Sequence, residues 1–189
     1  VVEADGGAFE PGTKVVVNPL LMCGHCYACK NGMPHVCATL GLLGIDADGG
    51  FGEYVAVPLD TVRTIPDSIS LQEGALIEPL AVAVHAVRAS RLKVGDVTAI
   101  LGAGPVGMLV AQVARLAGAR KVFVAEMSPK RLEIATKLGF DVINVAEQDT
   151  AEIILDATEG VGVPVVFETA GVQATLNNAA AVVRIGGQI

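Results

Sequence analysis

The architecture of this chain follows from one segment, Val97-Thr98-Ala99-Ile100-Leu101-Gly102-Ala103-Gly104-Pro105-Val106-Gly107. A run of apolar and β-favouring residues leads into three glycines with the spacing G-x-G-x-x-G. After the turn, apolar residues recur at helical spacing as far as Gly118, namely Val106, Leu109, Val110, Val113 and Leu116. The pattern predicts a buried strand, a tight turn and a helix that ends at a glycine.

The three glycines are typical of a turn that binds a dinucleotide. Gly102 permits the tight turn, Gly104 lets the backbone approach a pyrophosphate, and Gly107 lets the helix pack close to the strand. A phosphate would meet unpaired backbone N–H groups at the positive end of the helix. A purely structural glycine turn is the alternative, because the motif is weak when it stands alone.

A second strand, Val122-Phe123-Val124-Ala125, ends at Glu126, which lies 19 positions after Gly107. This is close to the roughly 20-residue offset at which an acid accepts hydrogen bonds from the adenosine ribose. The Glu126 charge would repel a 2′-phosphate, so the sequence favours NAD over NADP, although Arg131 can also reach the adenosine side.

Strands and helices alternate through the rest of this half. Ser128 is expected to cap a helix that starts at Pro129 and ends at Gly139. Further elements are predicted at residues 142–143 (strand), 151–157 (helix), 163–167 (strand) and 174–183 (helix), before a turn at Gly186 and Gly187. Parallel strands would bring three groups to one edge of the sheet: residues 102–107, Glu126, and Thr169, Ala170 and Gly171.

Composition excludes several classes of function. The 189 residues are 52% hydrophobic, with 13 basic and 20 acidic side chains and a net charge of −7. Such a charge argues against a nucleic-acid partner. No apolar run approaches the ~20 residues of a membrane span, and no signal peptide is visible, so we expect a cytoplasmic protein without a membrane partner. The ends at Val1 and Ile189 predict a fragment of a longer protein.

All four cysteines lie within one short segment, with the spacing C-x2-C-x2-C-x7-C: Cys23, Cys26, Cys29 and Cys37. Four thiolates at this spacing can converge on one tetrahedral ion, and zinc is favoured. A closed shell of four cysteines leaves no position for substrate, so the zinc would be structural. Two disulfides or an iron–sulfur cluster are the alternatives. His25 and His35 are expected to be loop residues rather than ligands.

The first half also contains β patterns. Strands are predicted at residues 1–3, 15–17 and 55–57, with a hairpin at Gly49-Gly50-Phe51-Gly52-Glu53-Tyr54. Phe51 and Tyr54 are expected to anchor the core. Ser70 is predicted to cap a helix that begins at Leu71, with Glu73 in the first turn.

Glu78 is the only charge between Ala75 and His85. A carboxylate in so apolar a setting needs a cation or metal partner, unless it simply stabilises a helix start ahead of Pro79. His85 is expected to be a core histidine. A domain boundary is predicted between residues 78 and 94, which gives domains 1–85 and 86–189.

Taken in order, the cysteine lobe, Gly-Gly-Phe-x-Glu-Tyr (49–54), Glu-Pro-Leu-Ala (78–81) and Gly-Ala-Gly-Pro-Val-Gly (102–107) resemble the zinc-dependent medium-chain alcohol dehydrogenases. Within these, the chain is most similar to the branch of butanediol, sorbitol (iditol) and threonine dehydrogenases. The resemblance implies an α/β fold, with part of a GroES-like β-rich catalytic domain followed by part of a Rossmann doubly wound parallel sheet.

The resemblance also implies roles for individual residues. Cys23, Cys26, Cys29 and Cys37 would bind the structural zinc, and Glu78 would lie beside a catalytic zinc as ligand or outer-shell partner. Gly102, Gly104, Pro105, Val106 and Gly107 would cradle the pyrophosphate, and Glu126 and Arg131 would meet the adenosine ribose. The full-length enzyme would act on the CH–OH group of a secondary alcohol or polyol, as a homodimer or homotetramer.

The remaining ligands of the family's catalytic zinc would lie upstream of Val1. The sequence therefore predicts that this chain alone is inactive. The alternative functions are a non-catalytic zinc- and nucleotide-binding module, an S-adenosylmethionine-dependent methyltransferase, and a zinc-free reductase of the quinone oxidoreductase type.

Overall fold

The computed structural model describes the backbone of residues 1–189 and the side chains outside residue 5. The chain divides into two compact units, Val1–Glu78 and Pro79–Ile189. The domain boundary at residue 85 that the sequence favours stays a prediction. No helix in the described part of the chain is long and apolar enough to cross a membrane.

The first unit is assembled from short elements. Its strands are β1 (Val15–Val17), β2 (Leu20–Leu21), β3 (Gly41–Leu42) and β4 (Val62–Thr64). Its α-helices are α1 (Tyr27–Lys30) and α2 (Leu71–Gly74), and 3-10 turns cover Asp5–Gly7, Pro34–Val36 and Leu59–Thr61. β1 pairs with β4 and β2 pairs with β3, both antiparallel. The strand predicted at residues 15–17 is confirmed.

Two predicted strands of this unit are wrong. Residues 1–3 and 55–57 form no strand. Phe51 is fully exposed and Tyr54 is 75% exposed, so the expectation that they anchor the core is also wrong. The chain reverses earlier, where the Gly44 N–H donates to the Ala47 carbonyl at 2.8 Å. Residues 51–57 therefore have no partner strand, and their aromatic rings have no apolar layer to pack on.

The helix start at Ser70 is confirmed in detail. The Glu73 N–H donates to Ser70 Oγ at 3.2 Å, and the Ser70 N–H donates to Glu73 Oε2 at 2.8 Å. This reciprocal arrangement is a capping box, which satisfies backbone donors that a helix start leaves free. Hydrogen bonds from the Ser70 side chain and backbone lower the pKa of the Glu73 carboxyl.

The second unit alternates helices and strands after α3 (Ile77–Ala89), whose first two residues lie in the first unit. Its elements are β5 (Val97–Leu101), α4 (Pro105–Leu116), β6 (Lys121–Glu126), α5 (Pro129–Lys137), β7 (Asp141–Asn144), α6 (Thr150–Asp156), β8 (Val163–Glu168), α7 (Gln173–Val182) and β9 (Val183–Gln188). The strands form one parallel sheet in the order β7-β6-β5-β8-β9. This confirms the predicted α/β fold.

Both faces of the sheet are covered. Ile100 of β5 packs with residues of α3, α4 and α5, such as Val87, Val110 and Ala135. Ala99 and Leu101 face the other layer, which α6 and α7 supply. Successive residues of a strand point to opposite faces, so an apolar run such as Val97–Leu101 is what a strand buried on both sides requires. The sheet is therefore doubly wound.

The turn predicted at Gly186 and Gly187 is wrong, because these residues lie inside β9. The pairing of β9 with β8 contains a register shift between Val163 and Val165. Gly186 has φ +73°, and a Cβ at Gly187 would approach the Pro164 carbonyl oxygen to 2.9 Å. The two glycines therefore permit an irregular strand rather than a chain reversal.

Candidate dinucleotide site and metal centre

The turn between β5 and α4 needs glycine at two positions because the backbone is crowded there. Gly102 has φ +107°, and a Cβ on it would lie 3.1 Å from the Ala170 nitrogen. A Cβ on Gly107 would collide with the Gly102 carbonyl oxygen and would lie 2.6 Å from Thr169 Oγ1. These close approaches confirm that Gly102 makes the turn and that Gly107 admits the helix.

Gly104 is different because its surroundings are open. A Cβ at this position would meet no atom within 4 Å. Gly104 is the N-cap of α4, no side chain caps the helix there, and Pro105 is the first helical residue. The backbone N–H groups of Val106 and Gly107 therefore lie in the unpaired first turn, beside open space and the positive end of the helix dipole. This geometry suits a phosphate.

Glu126 lies at the end of β6, directly beside β5, and accepts four hydrogen bonds. Oε2 accepts from the Ala103 N–H (2.9 Å) and from Arg131 Nη1 (3.4 Å). Oε1 accepts from the Met127 N–H (2.8 Å) and the Ser128 N–H (3.0 Å). The predicted carboxylate and the predicted glycine turn are thus in direct contact, through the backbone of Ala103.

Glu126 is buried, with only 8% of the residue exposed, and yet its carboxyl is ionised. Burial raises its pKa, but the N–H groups of Ser128, Ala103 and Met127 together with Arg131 outweigh burial and hold the pKa below its ordinary value. Arg131 is itself 53% exposed in its side chain, so it can turn toward a ligand. Ser128 occupies the N-cap of α5 as predicted, but its side chain makes no capping hydrogen bond.

Thr169, Ala170 and Gly171 follow β8, on the other side of β5. The Thr169 hydroxyl shares its proton between the carbonyl oxygens of Leu101 (3.1 Å) and Gly102 (2.9 Å). The N–H groups of Ala170 and Gly171 both donate to Glu168 Oε1 at 2.9 Å. The structure brings this turn against the glycine turn, although the Ala170 and Gly171 donors already have a partner.

Sequence reasoning missed Glu168. Its carboxylate also accepts from the Thr175 hydroxyl at 2.6 Å. Burial raises the pKa of this carboxyl, but the Thr175 hydroxyl and the N–H groups of Gly171 and Ala170 together lower it further than burial raises it. In the sequence, Glu168 stands directly after the strand predicted at residues 163–167, as Glu126 follows the apolar residues of β6.

A cavity of about 410 Å³ shares Val106, Glu168 and Thr169 with this edge of the sheet. Its other walls are mostly apolar and include Val110 and Val166. Apolar walls with a few polar groups at one end are typical of small-molecule sites.

The four cysteines converge as predicted. Their Sγ atoms all lie within 4.8 Å of one another, and Cys26 Sγ lies 3.9 Å from Cys37 Sγ. Four sulfurs bound at about 2.3 Å around a tetrahedral zinc lie about 3.8 Å apart, so the spacing fits that ion. Gly24 and Gly32, with φ +73° and +74°, make the turns that bring the thiols together.

The surroundings of the thiols favour thiolate at two positions. Hydrogen bonds led by the Cys23 and Thr39 backbones lower the pKa of Cys37 to about 6. Hydrogen bonds from the backbones of Ala38 and Cys29 lower the pKa of Cys26. Desolvation raises the pKa of Cys29 to about 12, so this thiol is protonated at neutral pH and a metal that binds it displaces its proton.

Glu78 is not brought to this metal centre. It lies in the first turn of α3 and is exposed, so its setting matches the alternative of a carboxylate that stabilises a helix start, and its role beside a catalytic zinc stays a prediction. Among the described residues, the potential metal ligands that cluster in threes or more are the four cysteines alone. His85 is exposed too, so the prediction of a core histidine is wrong. His25 and His35 are exposed and lie outside the cysteine group, as expected.

Comparison with protein families matches both halves of the chain. Residues 1–67 match the alcohol dehydrogenase GroES-like domain, and residues 105–189 match the family described as zinc-binding dehydrogenase.

Individual relatives agree with this result. The chain is 42% identical to the sorbitol dehydrogenase of Bacillus subtilis (strain 168) over 183 residues, covering 96% of this chain and 52% of that protein. It is 40% identical to the L-threonine 3-dehydrogenase of Pyrococcus abyssi over 192 residues, covering 100% of this chain and 55% of that protein. The chain thus spans about half the length of these relatives.

A solved structure shows the same fold. A zinc-binding dehydrogenase from Sinorhizobium meliloti 1021, bound to NADP, superposes with a TM-score of 0.89 at 36% identity, covering 95% of this chain and 54% of that one. Other relatives include the (R,R)-butanediol dehydrogenase of Bacillus subtilis. The chain belongs to the zinc-dependent medium-chain alcohol dehydrogenases, in the branch of the sorbitol, butanediol and threonine dehydrogenases.

Proposed function

We propose that the protein containing this chain is a zinc-dependent oxidoreductase that transfers hydride between NAD(H) and the CH–OH carbon of a secondary alcohol or polyol. The observation that carries the proposal is the edge formed by β5, β6 and β8, where an open glycine at a free helix start lies beside a buried, ionised carboxylate. The names of the relatives, which act on sorbitol, butanediol and threonine, support the substrate class.

The proposed cofactor lies across this edge. Gly102, Gly104, Pro105, Val106 and Gly107 hold its pyrophosphate through backbone N–H groups and the helix dipole. Glu126 and Arg131 meet the adenosine ribose. Thr169, Ala170 and Gly171 complete the site on the β8 side, next to the apolar cavity.

NAD is the proposed cofactor. The Glu126 carboxylate stays ionised at neutral pH and repels a 2′-phosphate, whereas it accepts hydrogen bonds from ribose hydroxyls. Arg131 is the group that favours the phosphate of NADP. The related Sinorhizobium structure contains NADP, so both cofactors belong in any assay.

Zinc is proposed in two roles. Cys23, Cys26, Cys29 and Cys37 hold a structural ion in a closed shell. The exposed carboxylate of Glu78 serves a catalytic zinc, as ligand or outer-shell partner, together with residues outside this chain. A zinc bound there acts as a Lewis acid that lowers the pKa of the substrate hydroxyl. This chain's own contribution is to hold and orient the cofactor that accepts the hydride.

The protein is proposed to be cytoplasmic and to form a homo-oligomer. The thiolate site needs reduced cysteines, which the cytoplasm maintains. The proposed partners are a small alcohol or polyol substrate and further copies of the protein in a homodimer or homotetramer.

The decisive experiment is a fluorescence titration with NADH on the 189-residue chain and on a Gly104→Ala variant. The added methyl meets no protein atom, so the thermal midpoint should stay within about 2 °C, while the methyl occupies the space of the phosphate and raises the Kd at least tenfold. Gly50→Ala is the matched control, since its Cβ also meets open space but lies in the first unit.

Two results would contradict the proposal. Failure of the unsubstituted chain to bind NADH would remove the cofactor site. Tight binding of S-adenosylmethionine without NADH binding would indicate a methyltransferase instead.

A further inference from the structure

Glu168 organises the turn that follows β8. One oxygen, Oε1, accepts from the N–H groups of Ala170 and Gly171 and from the hydroxyl of Thr175 on α7, at 2.9, 2.9 and 2.6 Å. Gly171 has φ +71°, so the backbone doubles back here and places both N–H groups on the same acceptor. The carboxylate thereby ties the end of β8 to the first turn of α7.

Thr169 links this turn to the glycine turn. Its N–H donates to the Leu101 carbonyl at 2.9 Å, and its hydroxyl donates to the Leu101 and Gly102 carbonyls. The same hydroxyl oxygen would lie only 2.6 Å from a Cβ on Gly107. Thr169 therefore packs between Leu101, the last residue of β5, and the first turn of α4. The distance between these two parts sets the width of the phosphate cradle, which is the turn at residues 102–107.

The other side of the glycine turn is held by Glu126, through the Ala103 N–H. The cradle is thus fixed from both neighbouring strands. On the β6 side the link is a carboxylate that accepts directly from the turn. On the β8 side it has two steps, from Glu168 to residues 170–171 and from Thr169 to Gly102.

We propose that Glu168 and Thr169 are positioning residues for dinucleotide binding, which act by holding the Gly102 carbonyl and the start of α4 at the spacing that a pyrophosphate requires. The inference rests on the proposed dinucleotide site. A preorganised site loses less entropy on binding, so loosening this link weakens cofactor affinity.

The test compares two matched pairs in the protein as its gene encodes it. Thr169→Val keeps the shape but removes the hydroxyl donor, whereas Thr169→Ser keeps the donor. Glu168→Ala removes the acceptor, whereas Glu168→Gln retains a carbonyl oxygen for the same three donors. Thr136→Val, which removes an exposed hydroxyl of α5 that donates to the Leu132 carbonyl, is the remote control.

We expect the NADH Kd to rise about five- to tenfold in T169V and E168A, as the loss of one or two net hydrogen bonds implies, and to stay within about twofold in T169S, E168Q and T136V. A loss of NADH affinity at an unchanged thermal midpoint is the result that a merely structural role would not give, and the two conservative variants test for rescue of that affinity. Thermal midpoints also identify any variant that fails to fold. If E168A unfolds, the T169V and T169S pair still decides.

Equal NADH affinity in T169V and T169S, with the unsubstituted protein binding normally, would overturn this inference and leave the proposed function intact. If the unsubstituted protein does not bind NADH, the proposed function fails and this inference fails with it.

Discussion

Glu126 and Arg131 form an ion pair whose two side chains differ in burial and in the number of their hydrogen bonds. The carboxylate is buried and held by three backbone N–H groups, whereas the guanidinium is half exposed and contacts it at 3.4 Å. A ligand can therefore displace Arg131 far more easily than it can move Glu126. The arginine is the adjustable part of the proposed adenosine site, and the glutamate is the fixed part.

This asymmetry predicts the effect of Arg131→Ala. We expect the Kd for NADPH to rise about tenfold, because the cation that compensates a 2′-phosphate is lost. The Kd for NADH should change by less than about threefold, because Glu126 keeps its backbone donors. Fluorescence titration with both cofactors measures the difference.

Lys130→Ala is the matched control, since Lys130 is an exposed neighbouring cation, whereas the described ion pair of Glu126 is with Arg131. Equal losses of NADH and NADPH affinity in R131A would contradict the assignment of Arg131 to the 2′ position.

Among the elements, the cysteine lobe has the least apolar support. Its strands β2 and β3 have two residues each, and no residue of α1 is buried. Such a segment cannot bury enough apolar surface to fold by itself, so metal binding has to supply the stability. The capping box at Ser70, by contrast, stabilises α2 through local contacts.

Removal of the metal is therefore expected to unfold the lobe selectively. After treatment with a chelator, amide protons of residues 23–42 should lose protection from exchange, while those of β5 and β6 stay protected. Cys29→Ser should lose the bound zinc, and His25→Ala should retain about one zinc per chain. Hydrogen exchange and metal analysis provide these two measurements.

The same site has a defined pH dependence. Zinc binding must displace the proton of Cys29, whose pKa is raised to about 12, whereas Cys37, at about 6, is mostly ionised at pH 7. Zinc affinity should therefore rise with pH between about 6 and 8, with protons released on binding. A pH-independent affinity, or retained zinc in C29S, would contradict the four-thiolate site.

The whole molecule combines a unit that carries the four-cysteine cluster with a unit that carries the glycine turn, and neither supplies a complete set of ligands for a catalytic zinc among the described residues. We therefore expect the 189-residue chain to bind NADH and one zinc but to show negligible alcohol-dependent NADH formation. The protein as its gene encodes it should oxidise at least one of 2,3-butanediol, sorbitol and threonine.

Absorbance at 340 nm measures NADH formation by the 189-residue chain and by the protein as its gene encodes it. Robust activity of the 189-residue chain would show that the catalytic ligands lie within it. Inactivity of the longer protein on every polyol and amino alcohol tested would remove the proposed substrate class.

Much of the second unit could be predicted from sequence because its signals are local. The apolar run at Val97–Leu101 and the glycine spacing lie within one strand–turn–helix segment, and the acid at position 126 ends the strand that follows it. The first unit was harder, since Phe51 and Tyr54 look like core residues until their neighbours are known to leave them exposed. Glu78 left two interpretations open, because the apolar residues around it in the sequence do not show whether its carboxylate is exposed.

By itself, the sequence determined that four thiols converge and that a glycine turn joins a buried strand to a helix, because both depend on spacing over a few residues. Only the tertiary structure decided which backbone groups the acids at the strand ends engage. β5 lies between β6 and β8, so Glu126 reaches Ala103 and Thr169 reaches Gly102 across gaps of 23 and 67 residues in the chain. Such contacts follow from strand order, which local spacing does not contain.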